Sequence, residues 1–335
     1  MERGTKLAAA AGAHFLVDFA CAFLLFRRFS GAGGWAELLL AYNFCAFALQ
    51  MPLGLLADRW NRNFLLAALG CGAAAAAYLP LPAAAAAVTA GLGNAAFHVG
   101  AGLEVLTDFP DRAGPLGVFV SPGALGLYAG TLLGRSGPLA PGLAAAVLLI
   151  AAGCLLGLQR ALSGGFSSAD APVSLPGRSA ALPLLALGAV VVVRSMAGMG
   201  LALPWKAGGW SLAVVCALAL GKAAGGYLAD RFGLVRTAAV TLLGAAGLFL
   251  AAGNPWCGTA AVFLFNMTMP LTLYGAARLL PGAKGFAFGL LTFALFLGFL
   301  PVYAGACALQ AAQAAALSAL SAAALVPALR KAVRT

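Results

Sequence analysis

A short stretch that occurs twice constrains this chain more than any other feature. Gly54-Leu-Leu-Ala-Asp58-Arg59-Trp-Asn-Arg62 follows one long apolar run, and Gly226-Tyr-Leu-Ala-Asp230-Arg231-Phe-Gly-Leu-Val-Arg236 follows another. A shift of 172 residues, about half of the 335-residue chain, lays Gly54, Leu56, Ala57, Asp58 and Arg59 on Gly226, Leu228, Ala229, Asp230 and Arg231. The chain is therefore expected to fold as two similar halves. Each would end an apolar helix with a small residue, one carboxylate and a group of arginines, the ingredients of a charge lock at a membrane surface.

With 63% hydrophobic and 9% charged residues and a mean hydropathy of +0.98, the chain has too little polar surface for a water-soluble globule. Several apolar runs approach the ~20 residues that a helix needs to cross a bilayer, so helices are expected rather than a barrel of alternating strands. The net charge of +11 does not indicate nucleic acid, because the cations stand singly at the ends of apolar runs. The seven cysteines contain no Cys-x-x-Cys pair and read as buried small residues.

Breaking the sequence at charges, prolines and glycine clusters predicts twelve spans, in two bundles of six. They lie near Leu7 to Phe26, Trp35 to Ala57, Phe64 to Leu79, Ala83 to Thr107, Pro115 to Leu133, Pro138 to Leu158, Ala180 to Leu203, Gly208 to Ala229, Thr237 to Gly253, Trp256 to Ala277, Lys284 to Ala304 and Cys307 to Leu329. The polar segment 159–179 is expected to be a cytoplasmic linker between an N-terminal bundle (1–158) and a C-terminal bundle (180–335). With the N-terminus inside, 14 of the 20 Lys and Arg residues fall on the cytoplasmic side and 4 outside, which puts both termini in the cytoplasm. The expected setting is a bacterial-type inner membrane crossed many times by a monomer, with lipid as its solvent. No stretch of this sequence is left for a nucleotide-binding or soluble catalytic module, and no His-Glu-x-x-His spacing occurs. An enzyme is not expected.

The paired loops resemble the signature loop of the major facilitator superfamily, which lies between its second and third helices and again between its eighth and ninth. That resemblance implies an all-α integral membrane protein of twelve transmembrane helices in two pseudo-symmetric bundles, working by alternating access. It also implies that Gly54, Asp58, Arg59, Arg62, Gly226, Asp230, Arg231 and Arg236 form a conformational motif holding the cytoplasmic face shut. In the fifth span, Ser121-Pro122-Gly123 with Gly117, Gly126, Gly130 and Gly134 looks like the glycine-proline motif of the antiporter branches. His14-Phe-Leu-Val-Asp18 and Gly93-Asn-Ala-Ala-Phe-His98 look like the fosmidomycin-resistance branch, with Val99 where that branch commonly has proline.

A charge at mid-membrane costs at least ~2.5 kcal/mol, so each buried ionisable group asks for a partner, a wet cavity or a task. His14 and Asp18 in the first span are four residues apart and share a helix face, as do Asn94 and His98 in the fourth. Arg194 lies in the seventh span and Asn266 in the tenth, and Asn266 is the 172-residue equivalent of Asn94. The resemblance implies that these four helices line the central cavity. Three readings of His14, Asp18 and His98 compete. In the first, the pair is merely self-satisfied, with His98 on a backbone carbonyl; in the second, the three bind and release a proton; in the third, they hold a divalent metal, as an N/O ligand set can. Arg194 needs a permanent counter-charge, from Asp18 or from an anionic substrate. Lys222 in the eighth span is expected either to pair at the interface or to face the cavity, Glu104 to pair with an arginine, and Asn43 and Gln50 to bond between helices. The function implied is a secondary transporter of a small, anionic organic solute, by proton-coupled export. It would use no cofactor beyond a proton gradient. A divalent-metal transporter, or a non-transporting receptor or scaffold on the same fold, are the alternatives.

Overall fold

The computed structural model describes residues 2–31, 33–162 and 177–334, and among them the chain is helical apart from short connections. Twelve helical segments follow in order: α1 (Glu2–Phe29) and α2 (Trp35–Trp60), α3 (Asn63–Ala76) and α4 (Ala83–Asp108), α5 (Gly114–Ser136) and α6 (Pro141–Leu162). The second half continues with α7 (Arg178–Gly200), α8 (Gly209–Phe232), α9 (Leu234–Leu250), α10 (Pro255–Leu279), α11 (Lys284–Tyr303) and α12 (Ala311–Arg334). Among the described residues nine of these are long and apolar enough to span a bilayer. The other three are α3 and α9, with 14 and 17 residues, and the long α4, which interrupts its alanines with Asn94, His98 and Glu104. Residues 163–176 of the expected linker lie outside the described residues.

Local sequence accounts for the ends and bends. Asn254 caps α10 by accepting from the backbone N–H groups of Trp256 and Cys257 at 2.9 and 3.4 Å. α2 and α8 stop at Asn61 (φ 51°) and Gly233 (φ 89°), left-handed positions that favour these two residue types. Asn61 and Gly233 are themselves 172 residues apart, so the repeated stretch includes its own terminator. α5 is broken between Val120 and Pro122, where Pro122 has no N–H to offer the carbonyl four residues back. The last helix begins at Ala311 rather than near Cys307, because Leu309 instead pairs with the end of α7: its N–H donates to the Gly200 carbonyl at 2.8 Å.

The duplication extends to packing. α1 packs on α5 and α7 on α11; α3 on α4 and α9 on α10; α3 on α6 and α9 on α12; α2 on α4 and α8 on α10. The halves meet through α2 against α11 and α5 against α8, which are again equivalent pairs. Glycines make the close approaches: a Cβ on Gly126 or Gly130 of α5 would fall 2.2 or 2.1 Å from the carbonyl oxygens of Phe15 or Phe19 on α1. Lipid offers helices little hydrophobic drive to associate, so such backbone-level fit supplies the van der Waals contact that holds the bundle.

Candidate functional site

Two carboxylates close one face of the molecule. Asp58, at the end of α2, accepts from the backbone N–H groups of Gly285 and Phe286 at 2.7 and 2.8 Å, at the start of α11. Asp230, at the end of α8, accepts from Ala113 and Gly114 at 2.6 and 2.9 Å, at the start of α5. Donors as well as acceptors are 172 residues apart: Ala113 corresponds to Gly285 and Gly114 to Phe286. A helix N-terminus presents unpaired N–H groups and partial positive charge, so each carboxylate ties the two halves together. Cβ atoms on Gly54 and Gly226 would fall 2.1 Å from the Gly285 oxygen and 2.5 Å from the Ala113 oxygen, so both glycines permit the closure.

Each lock also has a cation at the start of the helix that it caps. Arg112 lies 3.5 Å from Asp230, and Lys284, its equivalent at the 172-residue shift, lies within electrostatic reach of Asp58. Arg59, Arg231 and Arg236 form no ion pair among the described residues. Arg62 stands in the turn before α3. The cation therefore comes from the start of the capped helix, Arg112 two residues ahead of α5 and Lys284 as the first residue of α11. Running the 172-residue shift past the obvious motif would have found it.

Deeper in the first half, α1 and α4 bring His14, Asp18, Asn94 and His98 together. His14 Nε2 is 3.2 Å from Asp18 Oδ2, His98 Nε2 is 2.9 Å from His14 Nε2 and 3.7 Å from Asp18 Oδ1, and the Asn94 amide donates to Asp18 Oδ1 at 3.1 Å. One ligand atom from each of His14, Asp18 and His98 fits within 4.8 Å of the others. The break in α5 completes the seat: His14 Nδ1 contacts the Phe119 carbonyl at 2.7 Å. A Cβ on Gly123 would fall 2.3 Å from His14 Nε2 and 2.4 Å from Asp18 Oδ2.

Hydrogen counting decides what this cluster can do. A carbonyl only accepts, so His14 Nδ1 facing Phe119 and His98 Nδ1 facing the Asn94 carbonyl at 2.9 Å must both carry hydrogen. In neutral rings the two Nε2 atoms are then lone pairs, pointed at each other across 2.9 Å and at a carboxylate. Such an arrangement repels itself unless a proton or another cation sits among the three. His14 does lie beside Asp18 and His98 does meet a carbonyl, but the contact between the two rings is an addition that the self-satisfied reading lacks.

Several expectations are corrected. Arg194 is buried, at 6% exposure, and its guanidinium donates to the Thr272 hydroxyl at 3.2 Å. No carboxylate lies within ion-pair distance of it among the described residues, because Asp18 is committed to the histidines and Asn94. Asn266 does not mirror Asn94: its amide bonds the Val262 carbonyl of its own helix, since the second half offers it no carboxylate. Asn43 and Gln50 likewise bond their own helix, at Leu39 and Ala46. Glu104 pairs not with an arginine but with Lys6 at 3.0 Å, and accepts from Asn63 at 3.0 Å. Lys222 donates to the Val120 carbonyl at 3.3 Å, across the α5–α8 interface.

The chain is thus a multi-pass membrane protein of two equivalent six-helix halves, locked together at one face over an asymmetric polar interior. Among solved structures it is similar to a variant of the Escherichia coli fucose:proton symporter FucP, at 15% identity over all of both chains, with a TM-score of 0.67. It is similar also to the Major Facilitator Superfamily transporter FucP in the outward conformation, at 16% identity over all of both chains, with a TM-score of 0.66. A third likeness is to the human organic anion transporter MFSD10 (TETRAN), at 14% identity over 98% of this chain and 99% of that one, with a TM-score of 0.64. No protein-family model and no curated protein matches the sequence. The fold is that of the major facilitator superfamily transporters.

Proposed function

We propose that this protein is a secondary transporter that moves a small anionic organic solute out of the cell in exchange for protons. The observation that carries the reading is the pair of facing Nε2 lone pairs beside Asp18, which needs a cation to be stable and can hold a proton between imidazole nitrogens and a carboxylate. Arg194, buried with no carboxylate at ion-pair distance among the described residues, supports an anionic solute. The glycine-rich α5 against α1 supports exchange, by its likeness to the antiporter branches. The locks at Asp58 and Asp230 belong to the cytoplasmic face, giving an outward-facing state with both termini inside an inner membrane. Segments 1–158 and 180–335 rock as two bodies about the linker 159–179, and the monomer is the working unit. In proteoliposomes with an internal pH dye, external organic anions should move protons, and Asp18→Asn should abolish proton movement while leaving solute exchange. Coupled proton movement that survives Asp18→Asn sinks the reading.

A second reading is favoured by one observation: two histidine Nε2 atoms and a carboxylate lie within 4.8 Å, each ring braced through Nδ1 by a carbonyl, as metal-ligating histidines usually are. Here a divalent metal would be the cargo. Co2+ serves as the probe. A visible absorption band that His14→Gln removes, together with Co2+ uptake, would replace the proton reading.

A further inference from the structure

We infer that a cleft between the two locks binds a small organic monoanion and that the bound anion holds the locks shut. The cleft has a volume of about 260 Å3 and is lined from both halves. The end of α4 and the α4–α5 connection give Leu106, Pro110 and Asp111, while the end of α10 and the start of α11 give Tyr274, Arg278 and Lys284. Leu106, Ala277 and Tyr274 are buried and form the inner wall; the Asp111 side chain, 85% exposed, marks the mouth. Each wall adjoins a lock. Lys284 precedes Gly285, which donates to Asp58, and Asp111 precedes Arg112 and Ala113, which hold Asp230. The 172-residue shift sets Leu106 against Arg278, Gly102 against Tyr274 and Asp111 against Ala283. The polar groups of the cleft are therefore no echo of the duplicated locks.

The lining holds two cations, Arg278 and Lys284, against one carboxylate. Arg278 and Asp111 stand 3.9 Å apart with the carboxylate mostly in water, a geometry that contributes little. Asp111 is thus a weak resident counter-ion, which a ligand carboxylate or sulfonate displaces; the guanidinium gives that group a planar fork and the ammonium a point charge. Leu106 and Ala277 receive the apolar body. The volume falls just below the ~300–1,000 Å3 of common small-molecule sites, so the ligand is a single-ring acid and not a nucleotide. Because the walls belong to different halves, separation at this face takes the site apart. A ligand of the assembled site favours the closed state, and by linkage whatever opens the locks weakens the ligand. The inference goes beyond the transport reading: it concerns a site apart from His14, Asp18 and His98, and needs only that the halves part at this face.

The full-length protein in detergent is titrated with benzoate, benzenesulfonate and the uncharged benzamide, and its melting temperature is followed. At least one of the two anions should raise it in a saturable way, and benzamide should not. Arg278→Gln should raise the half-maximal concentration roughly tenfold or more, as loss of a charge-assisted contact does. Asp111→Asn should lower it about threefold by removing the competing carboxylate. Arg194→Gln, outside the cleft, should leave it unchanged. Asp58→Asn and Asp230→Asn test the coupling. Each removes a negative charge beside the cleft, which by itself tightens anion binding, so a weakening of roughly threefold or more reports a smaller closed population. Elution as a single species at the wild-type volume shows that each variant is folded, and Lys284→Gln replaces Arg278→Gln if the latter is not. The inference is overturned if neither anion stabilises the wild type, if benzamide acts as the anions do, or if Asp58→Asn and Asp230→Asn do not weaken binding. If Arg194→Gln abolishes the response and Arg278→Gln leaves it, the anion sits in the transport cavity: the cleft binds nothing and the anionic-solute reading stands.

Discussion

Asp58→Asn tests whether the locks set the conformational equilibrium. The carboxylate accepts at 2.7 and 2.8 Å from Gly285 and Phe286. An asparagine keeps one acceptor and turns an amide N–H toward the other donor. The loss is about one charge-assisted hydrogen bond, ~1.5–3 kcal/mol, plus the interaction of the charge with the helix N-terminus, ~0.3–1 kcal/mol. A total of about 2–4 kcal/mol shifts the closed-to-open ratio by roughly thirty- to several-hundredfold at ~1.4 kcal/mol per decade. Ala283, just before α11, is fully buried, so the labelling rate of Ala283→Cys by a maleimide reports opening once Cys154, Cys216, Cys257 and Cys307 have been replaced. Asp58→Asn should raise that rate by at least tenfold. Asp230→Asn should raise it too, although Asp230 caps α5 and not α11, because two halves that rock as bodies open both seams together. The locks share no residue, so the double variant should add the two effects. A rise with Asp58→Asn alone would mean local fraying at α11, and the reasoning would be refuted.

Gly54→Val leaves Asp58 in place but puts a Cβ 2.1 Å from the Gly285 oxygen, so it should open the same seam and label Ala283→Cys as fast as Asp58→Asn does. Gly123→Ala drives a methyl to 2.3 Å from His14 Nε2 and 2.4 Å from Asp18 Oδ2. It should cost about 1–3 kcal/mol in melting stability from overpacking and separate solute movement from proton movement in proteoliposomes. Glu104→Ala strands Lys6 and Asn63, both bonded to Glu104 at 3.0 Å. The expected loss is about 1–3 kcal/mol, mostly from the Asn63 amide left without its acceptor, read as a lower melting temperature. Asp108, 3.5 Å from Lys6, recovers part of it.

The duplicated stretch and the apolar runs made the twelve helices and their halves readable, because helix length and bilayer thickness share one scale and the repeat fixes correspondence. The four-residue spacings of His14 with Asp18 and Asn94 with His98 put each pair on one face, but nothing in them says that the two faces meet. That depends on how α1 and α4 cross, and on the break at Pro122 that offers His14 the Phe119 carbonyl. Asn266 misled for the opposite reason: position is inherited through the duplication, but a hydrogen-bond partner is not. The residue at the 172-shift equivalent of Asp18 is Val190, so Asn266 turns to its own helix. Lys222 was visible as a charge in a span, but its neighbourhood was not, because the α5–α8 seam is set by glycine contacts far apart in sequence.

Symmetry and asymmetry divide the labour. The parts that must act alike in both halves, the capping aspartates with their glycines and the cations at the start of α5 and α11, recur at one offset. The parts that must act differently do not recur. The first half holds the cluster of His14, Asp18 and His98, and the second holds Arg194 and Lys222, neither with a carboxylate at ion-pair distance among the described residues. On the proposed reading, a proton held at His14, Asp18 and His98 offsets the Asp18 charge, so an anion entering the cavity meets less repulsion. If the proton leaves, Asp18 repels that anion. Such mutual support favours loading both together, so the proposed exchange needs the locks to bar the doubly loaded state from reopening inward. On that reading Asp58 and Asp230 are where exchange and co-movement diverge. Weakening either lock should move the protein from obligatory exchange toward co-movement of solute and proton, which is seen as solute accumulation following the pH gradient instead of opposing it.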